Sequence, residues 1–325
     1  MRHRSERPQQ AIGRLLRDLY VLAGGVAAVL LAPQLLAAQT APTENPPAAQ
    51  PPNAAAEPPQ LGEKWVRLLR DADDQPVALQ TAVVRYTGAW KGRPVNVDLV
   101  GAVHVGDAAY YADLNRRFTA YDALLYELVA PQGTVIEKGT RADTRHPLGA
   151  IQGGMKSILE LEHQLEKVDY TRPNFVHADM SPEEFFKTME DRNEGVVQMF
   201  MRMMGQSIAA QSEQQAQGES ADAEILVALF AKDRARRLKI VMAKQFHQME
   251  GLLSSFGGED GSTIITERNK KALAVLRQQL DQGTRNIGVF YGAGHLADMH
   301  ERLVKDFKLQ PEQITWLTAW DLKKP

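Results

Sequence analysis

Two histidines and one glutamate lie where apolar runs of the chain end. His104 and His295 each close a Gly-x-x-His motif that follows such a run, and Glu127 directly follows the apolar run 123–126. Imidazole nitrogens and carboxylate oxygens bind divalent metal ions, and a carboxylate can also take a proton from an attacking water. Two imidazoles and one carboxylate leave coordination positions for water or substrate. The three residues are therefore candidate ligands of a metal ion, and Glu127 is alternatively a candidate base.

The motif glycines and the acids that follow the histidines belong to the same pattern. Gly101 and Gly292 are expected to permit a sharp turn from strand to helix and a close approach of the backbone to a bound group. Asp107 and Asp298 each come three residues after a histidine. Because acids are favoured in the first turn of a helix, we predict that both are helix N-terminal residues rather than ligands.

Structural roles for the same side chains remain open alternatives. A histidine after a strand can simply cap a helix or bond to backbone in the core, and a single Gly-x-x-His motif would not argue otherwise. Glu127 follows four apolar or aromatic residues, so its carboxylate needs a partner: a metal, a histidine or an arginine. An ion pair with Arg268 and no ligand is the structural alternative for this glutamate.

The elements that position these residues follow from the periodicity of the sequence. The apolar run 95–100, the amphipathic segment 107–118 and the run 123–126 predict a β-α-β unit, and the pattern returns from residue 286 to 307. In open α/β sheets, ligand sites lie past the carboxyl ends of the strands. We predict an α/β fold: an open mixed sheet with β-α-β units at both ends and a large helical insertion.

The insertion is predicted at about residues 150–262, a stretch that shows no strand pattern. Ser181-Pro182-Glu183-Glu184 is a helix start, with an N-cap serine, proline at the first helical position and acids in the first turn. We expect the insertion to cap the site or to grip a substrate. Antiparallel strands at 65–69 and 78–86 precede the first unit, and a last strand is expected at 314–317.

The N-terminal residues predict export. Arginines precede an apolar run from 19 to 32, and small residues continue to 38, so residues 1–38 are expected to be a signal peptide or membrane anchor. Either one places the rest outside the cytoplasm, in the periplasm or facing it from the inner membrane, with membrane association through residues 19–38. Residues 39–60 are predicted to be a disordered Pro/Ala-rich linker, and 61–325 the α/β domain.

Composition excludes several classes of function. The 325-residue chain has a formal charge of −2, which argues against nucleic acid as a partner. It has no cysteine, which excludes disulfides, thiolate nucleophiles and cysteine-based zinc sites. Gly-x-Ser-x-Gly, Walker and His-Glu-x-x-His motifs do not occur, so common serine hydrolases, P-loop enzymes and zincins are not indicated.

Four motifs together resemble the TraB/PrgY/TIKI family across roughly residues 78–322. They are the first Gly-x-x-His, the strand-end glutamate, Glu267-Arg268-Asn269 in a later helix, and the final Gly-Ala-Gly-His-Leu. Members of the family include metal-dependent proteases of secreted signalling proteins and bacterial proteins that limit peptide pheromone signalling. The resemblance implies His104, His295 and Glu127 as metal ligands, with manganese or cobalt favoured. Ligand type alone does not exclude zinc.

The same resemblance implies roles for two further residues and a function for the whole. Glu127, Arg268 and Asn269 would be catalytic, with Arg268 and Asn269 orienting the substrate or stabilising an oxyanion. We expect an exported, metal-dependent peptidase that hydrolyses a peptide or protein. The family is similar in fold to haem-binding and erythromycin-esterase-like proteins, and fold does not fix chemistry. The alternative is a non-catalytic periplasmic protein that sequesters a peptide, haem or other ligand in the same crevice.

Overall fold

A computed structural model describes residues 65–136, 159, 161–194, 224, 227–228, 230–255 and 262–323. The predicted leader (1–38) and linker (39–60) lie outside the described residues. Among the helices of the described part, none is long and apolar enough to cross a membrane.

Nine strands are described, seven of them in one mixed sheet. They are β1 (Val66–Arg70), β2 (Pro76–Trp90), β3 (Arg93–Ala102), β4 (Val105–Gly106), β5 (Ala123–Tyr126), β6 (Glu162–His163), β7 (Phe175–His177), β8 (Asn286–Gly292) and β9 (Gln310–Asp321). The large sheet has the order β1-β2-β3-β8-β5-β7, with β9 on β2, while β4 and β6 form a separate pair. An open mixed sheet is thus confirmed.

Helices flank the sheet. They are α1 (Ala108–Phe118), α2 (Gln164–Lys167), α3 (Pro182–Asp191), α4 (Arg234–Ser255), α5 (Arg268–Asp281) and α6 (Leu296–Lys305). A π-helical turn (Thr263–Glu267) leads into α5, and a 3-10 turn (Ala293–His295) leads into α6. The predicted start of α3 is confirmed: Ser181 Oγ accepts from Glu184 N at 3.2 Å, and Glu184 Oε2 accepts from Ser181 N at 2.8 Å. This capping box satisfies backbone donors that the helix leaves unpaired.

The pairing pattern brings three strand ends to one edge. β2 is antiparallel to β1, β3 and β9, whereas β3, β8, β5 and β7 are parallel neighbours in that order. The two strands of the first predicted β-α-β unit, β3 and β5, are therefore separated by β8. Because parallel strands point the same way, the carboxyl ends of β3, β8 and β5 meet at the same edge of the sheet.

Adjacent residues of the strands bury opposite faces. Leu124 and Phe290 pack in a cluster that includes apolar residues of α1 and α4, whereas Leu125 and Val289 pack with apolar residues of α5 and α6. A parallel sheet is normally covered on both faces, which explains why its strands have continuous apolar runs rather than clean alternation. Both faces of the parallel strands that lead to the site are therefore covered by helices.

The prediction that residues 150–262 lack strands is wrong. β7 lies within this range and pairs in parallel with β5 through Leu124–Phe175, Leu125–Val176 and Tyr126–His177. The predicted helical character holds for α3 and α4. β7 is only three residues long, so its pairing with β5 rather than a local pattern makes it a strand. Glu194, just past α3, is tied to the start of the π-helical turn, because Thr263 N–H donates to Glu194 Oε2 at 2.8 Å.

Candidate functional site

The three residues that the sequence singled out follow three parallel strands. His104 follows the end of β3, Glu127 directly follows β5, and His295 ends the 3-10 turn after β8. His295 Nε2 lies 3.6 Å from Glu127 Oε1. His104 is near enough that its imidazole and the Glu127 carboxylate affect each other's pKa. The structure thus brings together residues that are up to 191 positions apart in the chain.

Glu127 is held by an arginine and by a backbone amide. Arg268 Nη2 donates to Glu127 Oε1 at 2.7 Å, and Gly292 N donates to Oε2 at 2.7 Å. The glutamate is 4% exposed and the arginine 3% exposed. The ion pair foreseen as the structural alternative for Glu127 is therefore present, alongside the histidine.

Asp179 is a member of the site that the sequence did not single out. It is fully buried, and Arg268 donates to it through Nε at 3.0 Å and Nη2 at 2.6 Å. It lies two residues past the end of β7, after the run Phe175-Val176-His177-Ala178. This run is short and contains a histidine, so the sequence signal is too weak to identify Asp179 without the pairing of β7 with β5.

The surroundings keep the Glu127 carboxylate ionised. Burial alone would raise its pKa, but Arg268 first, then His295, His104 and the Gly292 N–H, lower the pKa well below its usual range. Burial would likewise lower the pKa of Arg268, yet Asp179 and Glu127 raise it well above its usual range. The cluster is thus a charged network inside the protein, and each of its charges depends on the others.

Asn269 fixes the orientation and the protonation of His295. Its Nδ2 donates to His295 O at 2.9 Å and to Asp298 Oδ2 at 2.8 Å, so its Oδ1, 2.7 Å from His295 Nδ1, must be an acceptor. Nδ1 therefore carries the hydrogen. Burial lowers the pKa of His295 to about 4, although Glu127 opposes this. At neutral pH, Nε2 is consequently an unprotonated nitrogen that faces Glu127.

His104 has similar electrostatics. Burial lowers its pKa, the charge of Glu127 raises it, and the charge of Arg268 lowers it again. Its carbonyl accepts from Gln164 N at 2.9 Å, which ties the turn after β3 to the start of α2. Both imidazoles are thus favoured in the neutral form, the form in which histidine binds metal ions.

The motif glycines provide space rather than unusual backbone angles. Gly101 lies inside β3, where a Cβ would be 3.1 Å from Ala82 O and 3.2 Å from Leu296 Cδ1. Gly292 has φ −51° and ψ 138°, which other residues adopt readily. Neither glycine has a backbone conformation that only glycine adopts. A Cβ on Gly292 would lie 3.3 Å from Glu127 Oε2, so this glycine gives the carboxylate its place.

We expect Gly292→Ala to fold but to displace the Glu127 carboxylate by a few tenths of an ångström. Gly288→Ala is the matched control in the same strand, because its Cβ would meet Leu124 Cδ1 at 2.6 Å and the Tyr121 ring at 2.7 Å. Such overpacking costs about 1–3 kcal/mol. Urea unfolding should show the larger loss for Gly288→Ala. The opposite order would contradict the account of Gly292.

The two acids after the histidines lie at helix starts, as predicted. Asp107 is the N-cap residue of α1, but its carboxylate accepts from Lys239 Nζ at 2.9 Å and from Asp321 N at 2.6 Å rather than from the helix. Asp298 lies in the first turn of α6 and accepts from Asn269 and Arg302. Asp298 thus supports His295 through Asn269.

The donor types fit a cation, but the described residues do not form a complete metal cage. Within the described part of the chain, no group of three or more His, Asp or Glu side chains is placed to hold a metal ion. Two potential ligand atoms do face each other, His295 Nε2 and Glu127 Oε1. At 3.6 Å the two atoms are too far apart for a direct hydrogen bond, and at neutral pH both are acceptors. Such a pair suits a shared cation or water.

Comparisons with known proteins add no assignment. The chain was compared with protein-family models, curated proteins and solved structures, and none of the three comparisons found a match. The resemblance to the TraB/PrgY/TIKI family therefore rests on its motifs.

Proposed function

We propose that this chain is an exported, metal-dependent peptidase of the TraB/TIKI type. The observation that carries the proposal is the pair of facing acceptors, His295 Nε2 and Glu127 Oε1, at the carboxyl edge of the parallel strands. The Asn269 amide fixes the hydrogen on Nδ1, as a carbonyl or carboxylate typically does for a metal-binding histidine. His104 would be the third ligand.

The charge of the cluster supports a cation. Two acidic side chains, Glu127 and Asp179, share the single guanidinium of Arg268, so the described cluster has a formal excess of one negative charge. Buried charge without compensation is costly. A divalent ion beside Glu127 would compensate it. We propose manganese or cobalt on the resemblance, and the ligand types also suit zinc.

The residues of the chain then have distinct tasks. A divalent ion held by His104, His295 and Glu127 would polarise a peptide carbonyl and lower the pKa of a water molecule. Glu127, kept ionised by Arg268, would orient that water by accepting a hydrogen bond from it. Arg268 and Asn269 are 3% and 0% exposed. Arg268 hydrogen-bonds to Glu127 and Asp179, and Asn269 hydrogen-bonds to His295 and Asp298. We therefore propose that they position the site rather than contact the substrate.

Helix α4 is one described part of the insertion that borders the site. It contacts the 3-10 turn that carries His295, and its Leu238 and Met242 belong to the same apolar cluster as Val103. Lys239 anchors it to Asp107 at 2.9 Å. We propose that α4 contributes to peptide selection. The leader at residues 1–38 would place the enzyme in the periplasm or on the inner membrane facing it.

Full-length protein incubated with a peptide library is the test. We expect cleavage with added manganese or cobalt, loss of cleavage with a chelator, and at least a 100-fold loss in Glu127→Gln. The matched control is Glu194→Gln, since Glu194 is also hydrogen-bonded to an arginine and a backbone amide but lies outside the cluster. Circular dichroism would verify that both variants fold.

Two results would overturn the proposal. Cleavage that survives both the chelator and Glu127→Gln would place the chemistry elsewhere. Tight binding of peptide or haem without turnover would favour the non-catalytic binding protein.

A further inference from the structure

The two facing acceptors of the site are covered by protein. Glu127 and His295 are both buried, at 4% and 5% exposure. A group that cleaves a peptide has to come within about 3–3.5 Å of the atom it attacks or activates. An element that covers the site must therefore move before a peptide can reach these two side chains.

Four described elements pack against the 3-10 turn that carries His295: β3, the π-helical turn, α6 and α4. β3 is hydrogen-bonded between β2 and β8, and α6 continues directly from the turn. The π-helical turn leads into α5, whose Arg268 belongs to the charged network. Of these four elements, α4 is the one that is neither a strand of the sheet nor continuous with a segment that carries a site residue.

Two side chains in the first two turns of α4 bind it to the sheet domain. Lys239 Nζ donates to Asp107 Oδ1 at 2.9 Å, and Arg236 Nε donates to Leu322 O at 2.8 Å. The side chains of Lys239 and Asp107 are 12% and 21% exposed, so this ion pair is largely shielded from water. Asp107 is held in turn by Asp321 N, which donates to its Oδ2 at 2.6 Å. Links made by side chains can break while the pairing of the strands stays intact.

We propose that α4 is a movable lid over the site and that the ion pair Lys239–Asp107 is its latch. When the pair breaks, the helix moves away from the 3-10 turn and exposes His295 and Glu127, while the sheet remains folded. When the pair forms again, the site is closed to water. The entry of a peptide beneath α4 rests on the proposed function, whereas the opening of the helix does not.

The first readout is chemical access to His295, and it needs no metal. Diethyl pyrocarbonate acylates an imidazole nitrogen that carries no hydrogen, as His295 Nε2 does at neutral pH, and mass spectrometry of full-length protein treated in chelator locates the product. A hydrogen bond to a charged group contributes enough that its loss should raise the open fraction, and so the acylation rate of His295, about 10-fold in Lys239→Met. Asp107→Asn should act equally and keep the bond from Asp321 N. An unchanged rate in both variants would overturn the proposal.

The double variant tests whether the two side chains act as one latch. If they do, Lys239→Met combined with Asp107→Asn should raise the acylation rate no more than either change alone, because the same interaction is lost. Multiplied effects of the two changes would contradict a shared latch.

Two control variants separate opening of the lid from other changes. Lys244→Met removes a second ion pair of α4, with Glu224 at 3.0 Å, but both of these side chains are at least 36% exposed, so the rate should not change. Leu276→Ala lowers stability through the core on the opposite face of the sheet, where Leu276 is fully buried. It should leave the acylation rate of His295 unchanged under conditions in which the protein stays folded. An acceleration equal to that in Lys239→Met would show that the reagent enters by general unfolding, and would contradict the lid.

The second readout is cleavage of peptides by the metal-loaded, full-length protein. Because apparent affinity scales with the fraction of protein that is competent to bind, kcat/KM should rise in Lys239→Met by up to about 10-fold. If the wild type cleaves no peptide while the acylation of His295 still responds to the latch, the proposed function fails and the lid stands. Cleavage with an unchanged kcat/KM in Lys239→Met would show that peptides do not enter beneath α4.

Discussion

Replacing Arg268 with methionine should lower the free energy of unfolding by about 3–5 kcal/mol, because the change leaves two buried carboxylates without their cation. Arg268 is 3% exposed and bonds to Glu127 at 2.7 Å and to Asp179 at 2.6 Å. Domains of this kind have a total stability of about 5–15 kcal/mol, so the loss is a large fraction of it. Urea unfolding followed by circular dichroism would measure it.

Arg192→Met is the matched control for this experiment. Arg192 also joins two acids, Glu194 and Glu267, but its side chain is 26% exposed, so we expect a loss of under about 1 kcal/mol. A triple variant, Glu127→Gln, Asp179→Asn and Arg268→Met, should regain part of the loss since no buried charge remains. Equal effects of Arg268→Met and Arg192→Met would contradict the account of a buried charged network.

The sequence predicted a mixed α/β sheet and the proximity of three side chains, but not the order of the strands. His104, Glu127 and His295 were identified because each follows an apolar run, and the ends of parallel strands coincide at one edge. The three ends coincide even though β8 lies between β3 and β5, a strand order that the local sequence pattern does not predict. The position of a residue at the end of its own strand is local, whereas the choice of neighbouring strands depends on packing of distant segments.

Asp179 shows why the rest of the site could not be predicted. Its strand, β7, has only three residues, and all three are half-buried, so burial does not alternate along it. A run this short does not distinguish a strand from a loop. Only pairing with β5 carries Asp179 to the same edge as Glu127. The family resemblance implies that Asn269 acts on the substrate. In the structure its amide bonds to His295, a contact that its position in the sequence does not reveal.

The cluster has two features that each lower the stability of the folded protein. Its charges are buried, which costs desolvation, and its histidines are neutral, which leaves nitrogen atoms without hydrogens inside the protein. Both features lower stability unless a ligand supplies positive charge or hydrogen bonds. A ligand that binds only the folded state raises the free energy of unfolding. We therefore expect the protein to unfold at a lower temperature in chelator than with added manganese or cobalt.

The stability of the metal-free protein should fall as the pH drops from 6.5 to about 4, and His295 should account for much of this fall. Its pKa is lowered from 6.5 to about 4, chiefly by burial. Between these values the unfolded chain binds a proton at this residue and the folded protein does not. The contribution of neutral His295 to the free energy of unfolding is therefore fully present above pH 6.5. It is lost as the pH falls toward 4, by up to about 3 kcal/mol for this one group.

His295→Gln should reduce the slope of unfolding free energy against pH in that window, because glutamine does not titrate. The lowered pKa of His104 acts in the same direction, so part of the slope should remain. Glu127 contributes mainly below its unfolded pKa of about 4.3, so the range from 5 to 6.5 reports on the histidines. Val289→Ala, a buried change within β8 that alters no titrating group, should lower stability equally at every pH. If His295→Gln keeps the wild-type slope, its imidazole is protonated in the folded protein, and Nε2 would not be available to bind a metal ion.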